Sequence, residues 1–265
     1  MKNRFLILIL LVLTANVQAQ GTFDEREHLL FFVFGDNVNL RAEPSLQSKI
    51  IANVDAGTAL RFLNNVKKDT IGNKVSQWCH VWYNNQQAYV WKPLITRFVQ
   101  RSGKNPDYYF LAGEGDSTWH TKIKVVYQGK VTQSLSFTGI KPTSAIDEYA
   151  IKGSQGVPLV DDLLYIHWSA YSCGQMGGYI IFAFDGHKLH HFGEDTGIGD
   201  GEFFEGQTLI TPSHIEGEKG VVIIRRVSGE MLFPEEGEEN QLQQVRYDYN
   251  TTTRYRWNGT KLVKI

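Results

Sequence analysis

Cys173 lies in a glycine-rich segment, SAYSCGQMGGY, and histidines follow it at positions 187, 190, 191 and 214. A cysteine becomes a nucleophile when a helix N-terminus or an adjacent histidine lowers its thiol pKa. The residues after Cys173, GQMGGYIIFAF, have the pattern of a strand and not of a helix. The pattern therefore favours a turn or core cysteine, and a catalytic Cys173 is the alternative.

A polar loop with several carboxylates follows these histidines, and its acidic residues are Asp195, Asp200, Glu202 and Glu205. Carboxylate oxygens bind calcium, but the loop lacks the Asp-x-Asp-x-Asp-Gly order of a helix-loop-helix calcium site. Zinc at the neighbouring histidines is disfavoured, because His190 and His191 would point to opposite faces of a strand. We predict no metal site and no cofactor, and the sequence leaves calcium binding between Asp195 and Glu205 open.

The strongest candidates for binding are aromatic residues in WCHVWYNNQQAYVW, residues 78–91. Strand alternation points Val81 and Val90 to an interior and the aromatic rings to the other face. Exposed aromatic residues mark binding surfaces and suit extended peptides and sugars. The predicted ligand-binding residues are Trp78, Tyr89, Trp91 and Arg41.

Each of these residues has a structural alternative. The aromatic rings could instead cover a small barrel or its contact with a second domain. Arg41 stands beside a Pro-Ser turn, where it could take the carboxylate of a peptide stem, although a surface ion pair is the commoner use of an arginine.

Short strands must position this site. Val38 and Leu40 alternate with polar residues, and Glu43-Pro44-Ser45 ends that strand because proline cannot donate to a sheet. Alternation resumes over residues 50–54, and Gly57 allows a further turn. Asn84-Asn85 predicts a tight hairpin between the two aromatic strands. Short strands joined by tight turns are typical of a small closed barrel.

Two segments, NVNLRAEPSLQSKIIANVDAGTALRFL and WCHVWYNNQQAYVWKPLI, resemble the bacterial Src-homology-3-like (SH3b) domain from about Gly35 to Arg97. Members of that family show a Leu-Asn-Val-Arg-like strand, a Pro-Ser turn, a Trp-x-x-Val strand and a terminal Gly-Trp-Val hairpin. Here Ala88 and Tyr89 replace the Gly and Trp of that hairpin, and the stretch from Asn64 to Gln77 is longer.

The resemblance implies a non-enzymatic module that binds cell-wall peptide, cell-wall glycan or a protein partner outside the cytoplasm. Bacterial domains of this type are often fused to cell-wall cysteine peptidases. A cell-wall hydrolase with Cys173 as its nucleophile is therefore the second interpretation, although the Asp-Cys-Ser pattern and the following helix of those peptidases are missing.

The remainder of the chain also has strand-like patterns, including GGYIIFAFDG and GVVIIRRV. Only SAIDEYAI, residues 144–151, suggests a short helix. We predict an all-β protein in which an SH3-like barrel precedes an antiparallel β-sandwich or partial barrel. The predicted divisions are a signal peptide at 1–19, the SH3-like domain at 35–98, a linker at 99–107 and an all-β domain at 108–265.

Composition and the N-terminus indicate an exported protein. The basic start, the apolar run Phe5–Leu13 and the Val17-x-Ala19 site predict a cleaved signal peptide, since the run is shorter than a span of ~20 residues. We expect a periplasmic or secreted protein with no membrane span after cleavage. The net charge of −1 without a basic stripe argues against nucleic acid. The sequence does not decide the oligomeric state or whether Cys79 and Cys173 form a disulfide.

Overall fold

The computed structural model describes residues 30–114, 120–138, 145–169, 177–232 and 244–265. The described residues form three antiparallel sheets, which we call sheets A, B and C in chain order. The predicted signal peptide at 1–19 lies outside the described residues. Within the described ranges, no helix has the length and apolar character needed to cross a membrane.

Sheet A curls around its own core and forms the barrel. Its strands are β1 (Leu30–Val33), β2 (Val38–Arg41), β3 (Ile50–Val54), β4 (Ala59–Ile71), β5 (Lys74–Tyr83), β6 (Gln86–Trp91) and β7 (Ile95–Thr96), in the spatial order β3-β2-β6-β5-β4-β1-β7. The barrel core includes Leu40, Leu60, Val81 and Val90, all fully buried. The predicted inward direction of Val81 and Val90 is therefore confirmed.

Two turns of the barrel follow directly from the sequence. Asn84 and Asn85 both have positive φ, at 44° and 61°, so they form the predicted tight hairpin between β5 and β6. A short 3-10 turn, Lys92–Leu94, ends β6, and Pro93 lies at its start, where the missing N–H is not needed.

Sheet B follows the barrel after a single residue, Arg97. Its strands are β8 (Phe98–Arg101), β9 (Tyr108–Glu114), β10 (His120–Tyr127) and β11 (Lys130–Thr138), in the order β11-β10-β9-β8. The segment predicted as a linker, 99–107, holds most of β8 and the turn into β9. Ser102 is buried there, and its hydroxyl donates to Asp162, which holds this polar turn against the part of the chain that follows sheet B.

Sheet C is an eight-stranded meander in sequence order. Its strands are β12 (Ala145–Ile151), β13 (Asp162–Ser169), β14 (Gly177–Phe184), β15 (Leu189–Asp200), β16 (Phe203–Ile210), β17 (Val222–Leu232), β18 (Gln244–Trp257) and β19 (Leu262–Lys264). The suggested helix in SAIDEYAI is wrong, because Ala145–Ile151 pairs with β13 as a strand. Tyr149 is buried in the core beside β13, so tertiary pairing overrides the weak helical pattern.

Sheets B and C pack face to face. Phe110 and Ile123 of sheet B share a buried cluster with Leu164, Ile166 and Phe184 of sheet C. The prediction of antiparallel sheets after an SH3-like barrel is confirmed, and of the two predicted forms, a β-sandwich or a partial barrel, this contact is that of a sandwich. A second cluster on the other face of sheet C includes Leu163, Ile181, Phe192 and Trp257.

The barrel also packs against sheet B. Phe34 shares a cluster with Leu111 and Val126, and a Cβ at Gly113 would lie 2.8 Å from the Phe34 ring. Beside this contact, the Lys124 ammonium lies 2.8 Å from the Asp36 carboxylate. We call the barrel the first unit and sheets B and C together the second unit. The boundary between them is therefore a packed interface, and independent folding of each unit stays a prediction.

One part of sheet C extends beyond the buried clusters on its two faces, and we call this part the distal sheet. It consists of residues 196–200 of β15, 203–207 of β16, 226–232 of β17 and 244–251 of β18. None of the hydrophobic clusters formed by the described residues contains a residue of the distal sheet.

Candidate functional site: the outer face of the barrel

The register of β5 and β6 sets the aromatic residues in three cross-strand pairs. Trp82 lies opposite Gln87, His80 opposite Tyr89, and Trp78 opposite Trp91. Directly opposite residues of an antiparallel pair share a face. Because Val81 and Val90 fill the core, these three pairs lie on the outer face of the barrel.

His80 and Tyr89 form the centre of this face. Their rings are stacked, with centroids 4.8 Å apart and an angle of 13° between the planes. His80 Nε2 lies 3.1 Å from Gln87 Oε1, which ties the histidine to the next pair along the strands. Two half-buried rings are thus held in one orientation before any ligand arrives, which lowers the entropy lost on binding.

Arg41 joins this surface from the neighbouring strand. It lies opposite Tyr89 in the pairing of β2 with β6. One terminal nitrogen, Nη1, donates to the carbonyl of Ser48 at 2.8 Å, which fixes the side chain beside the Pro-Ser turn. The remaining guanidinium donors match the geometry of a carboxylate.

Trp82 is the exposed tryptophan of this face, with 37% of its surface accessible. It follows His80 by two positions, so strand alternation is the signal that places it on the same face. We call the solvent-accessible set the outer strip, and its residues are Arg41, His80, Trp82, Gln87 and Tyr89.

Trp78 and Trp91 lie together but not on the accessible surface. Only 1% of Trp78 and 6% of Trp91 is exposed, and their rings meet edge to face at 5.7 Å. These two rings are therefore covered within the barrel, as in the structural alternative, and a role of Trp78 and Trp91 in ligand binding stays a prediction. Trp78 Nε1 donates to Asp69 at 3.3 Å, so its polar atom is satisfied within the barrel.

Asp69 comes from the bulged part of β4, which has register shifts at Phe62/Asn64 and Asn65/Lys67. The Thr70 N–H, followed by Trp78 and Lys67, holds the pKa of Asp69 below its ordinary value. The longer stretch from Asn64 to Gln77 thus supplies Asp69 as the polar partner of the Trp78 indole.

A comparison with known protein families finds a match for the part of the chain that carries the outer strip. Residues 36–96 match the family model of the bacterial SH3 domain. No curated protein and no solved structure is significantly similar to the chain. The matched range spans β2 to β7 and contains the whole outer strip, within the predicted domain of residues 35–98.

Burial disfavours the reactive thiolate form of the cysteine in the SH3 domain. Cys79 is fully buried, and burial raises the pKa of its thiol to about 11. Its sulfur donates to Asn65 Oδ1 at 3.3 Å. Cys173, the predicted alternative nucleophile, lies outside the described residues, and so does any contact it makes with Cys79.

The other sequence candidates lie outside the SH3 domain, on sheet C. Asp195 pairs with Tyr179, whereas Glu205 pairs with Ile198, so strand alternation separates these two carboxylates onto opposite faces. In the described ranges, no three acidic, histidine or cysteine side chains are grouped for a metal ion. His190 Nε2 lies 2.9 Å from Asp185 Oδ2, which supplies a structural partner for that histidine.

Proposed function

We propose that the chain is a non-enzymatic binding protein of the cell exterior or periplasm, and that its SH3 domain binds cell-wall peptide or glycan through the outer strip. The observation that carries this proposal is the set of rigidly held rings and one arginine on the solvent side of the barrel. The family match supports a cell-wall-binding module.

The chemistry of the outer strip suits an extended ligand with a carboxylate. Tyr89 and Trp82 offer large, stiff contact areas at little entropic cost. Arg41 is held beside Tyr89 and can receive a stem-peptide carboxylate in two hydrogen bonds. The ligand would lie across β2, β6 and β5, with its apolar parts on the rings and its acidic group at Arg41.

A pull-down with purified peptidoglycan tests this proposal. Tyr89→Ala, Trp82→Ala and Arg41→Gln should each weaken retention about tenfold, which is the effect of losing ~1.4 kcal/mol of binding free energy. Leu46→Ala is the matched control, because Leu46 is 50% exposed in the same domain but is not part of the outer strip. Equal retention of the wild type and all four variants would exclude this surface.

The same samples test the non-enzymatic part of the proposal. Soluble wall fragments should not accumulate with time in the presence of the wild type. Release of fragments that stops in a Cys173→Ala variant would instead identify a cell-wall hydrolase.

A further inference from the structure

A shallow pocket of about 180 Å³ lies on one face of the distal sheet. Backbone of Gly197 and Gly206 contributes to its lining, together with side chains from four successive strands: Thr196, Ile198, Glu205, Gln207, Arg226 and Tyr249. The pocket belongs to the second unit and shares no residue with the outer strip.

Strand register creates this pocket from two parallel rows. The first row runs across the sheet as Thr196, Gln207 and Arg226. The second row runs as Ile198, Glu205, Ser228 and Tyr249. Directly opposite residues share a face, and positions two residues apart along a strand do so as well, so both rows point to the same side.

Internal hydrogen bonds hold the polar side chains of the first row. Gln207 Nε2 donates to the carbonyl of Glu194 at 2.8 Å, and Gln207 Oε1 accepts from Arg226 Nε at 2.8 Å. Arg226 thereby has a defined orientation through Nε. Among the described residues, its two terminal amino groups have no hydrogen-bond partner, so they remain available as donors.

The second row is held by a contact that crosses one strand. Ser228 stands between Glu205 and Tyr249 in this row, and it is small and buried. The Tyr249 hydroxyl therefore reaches across it and donates to Glu205 Oε1 at 2.8 Å. This bond fixes the tyrosine ring and one carboxylate oxygen. The other carboxylate oxygen, Oε2, is an available acceptor.

We propose that this pocket binds a sugar residue of a neutral glycan. The Arg226 donors and the Glu205 acceptor lie in adjacent rows, and a hydroxyl group is the ligand group that both donates and accepts. Arg226 and Glu205 carry opposite charges, so together they give the pocket no net charge that would favour an anionic or a cationic ligand over a neutral one. Tyr249 and Ile198 supply apolar contact for the C–H face of a sugar ring.

The size of the pocket agrees with this ligand class. Its volume is below the ~300–1,000 Å³ typical of sites that enclose drug-sized ligands. A single sugar residue within a longer chain needs only partial enclosure, because the rest of the glycan continues along the sheet surface.

Calorimetric titration of the full chain with cellotetraose, maltotetraose and chitotetraose tests the inference, with alanylalanine as a zwitterionic probe. At least one sugar should bind, and alanylalanine should not. Arg226→Gln and Glu205→Gln should each raise the Kd of the bound sugar about tenfold, since each removes a charge-assisted hydrogen bond. The matched controls are Arg254→Gln and Glu230→Gln, exposed residues outside the pocket whose partners are Glu218 and Arg246.

Three further measurements make the outcome decisive. Urea unfolding must show equal stability for the pocket variants and their controls, and Tyr249→Phe, which keeps the ring, should weaken binding less than Glu205→Gln. Trp82→Ala should leave sugar binding unchanged. The proposal is overturned if no sugar binds, if alanylalanine binds in place of sugar, if the pocket variants bind like the wild type, or if Trp82→Ala abolishes binding.

Discussion

The SH3 barrel and the distal sheet are both antiparallel, but they are stabilised differently. In the barrel, one side of each central strand is buried, as Leu40, Val81 and Val90 show. In the distal sheet, residues 245–251 of β18 are exposed on both faces of the strand. Apolar burial of about 25 cal/mol per Å² therefore stabilises the barrel, whereas the distal sheet depends on backbone pairing and cross-strand contacts.

Cross-strand contacts of the distal sheet are visible on both of its faces. Phe204 and Tyr247 meet edge to face at 6.0 Å, across the position of Gly229 in β17. Arg246 pairs with Glu230. A barrel core can thus hold an outer face rigid with few surface contacts, whereas a sheet exposed on both faces needs its surface side chains for its own order.

The largest expected effect is on stability, and it distinguishes the buried Trp78 from the partly exposed Trp82. Trp78→Ala should lower the free energy of unfolding by about 3–5 kcal/mol, because the ring is buried against Trp91. Trp82→Ala on the same strand face should cost less than about 1 kcal/mol, because its ring is partly exposed. Urea denaturation of both variants measures this difference. Similar losses for the two would contradict the assignment of Trp82 to the surface and Trp78 to the interior.

An intermediate effect is expected in the distal sheet, where backbone packing replaces a core. A Cβ at Gly229 would overlap the carbonyl oxygen of Arg246, so Gly229→Ala should cost about 1–3 kcal/mol or open the pairing of β17 with β18 locally. At Gly199 a Cβ meets no atom within 4 Å, so Gly199→Ala is the matched control, with a change below about 1 kcal/mol.

Hydrogen exchange of the β17 and β18 amides, read together with urea unfolding, distinguishes local opening from global destabilisation. Faster exchange limited to these two strands in Gly229→Ala is the expected result. If Gly199→Ala is as damaging as Gly229→Ala, close backbone approach does not explain the role of Gly229.

The smallest effect is expected at Asp195, where the packed part of sheet C meets the distal sheet. Burial raises the pKa of Asp195 above 3.8, while the Leu209 N–H and Lys152 act in the opposite direction. The folded state thus holds the proton more tightly than the unfolded state, and this contribution to stability is fully present below pH 3.8. It is lost as the pH rises through the folded-state pKa.

Urea unfolding of wild type and Asp195→Asn, from below pH 3.8 to neutral pH, checks this sign. The wild type should lose stability relative to Asp195→Asn as the pH rises, and the difference should level off once Asp195 is ionised. A relative gain by the wild type over that range would show that the contact with Lys152 outweighs burial.

Local patterns predicted much of the fold. The alternation around Val81 and Val90 and the Asn84-Asn85 turn led to a barrel hairpin that the structure confirms. The suggested helix in SAIDEYAI failed because a single short segment has little intrinsic preference, and pairing with β13 decides its conformation. The pocket at Arg226 and Glu205 was not predicted, since it depends on the register of four strands and not on any motif.

The sequence by itself determined where strands and turns form and which residues share a face, because period-two alternation and turn-forming residues are local properties. It thereby placed Trp78, His80 and Trp82 on one face of β5. Only the tertiary structure decided that Trp78 is covered while Trp82 reaches solvent, because burial depends on what packs over each ring. Trp91 of β6 meets the Trp78 ring edge to face, and Asp69 of the bulged strand β4 accepts a hydrogen bond from its indole nitrogen. Alternation shows to which face of a sheet a side chain points. Whether that face is covered depends on how the other segments of the chain pack against it.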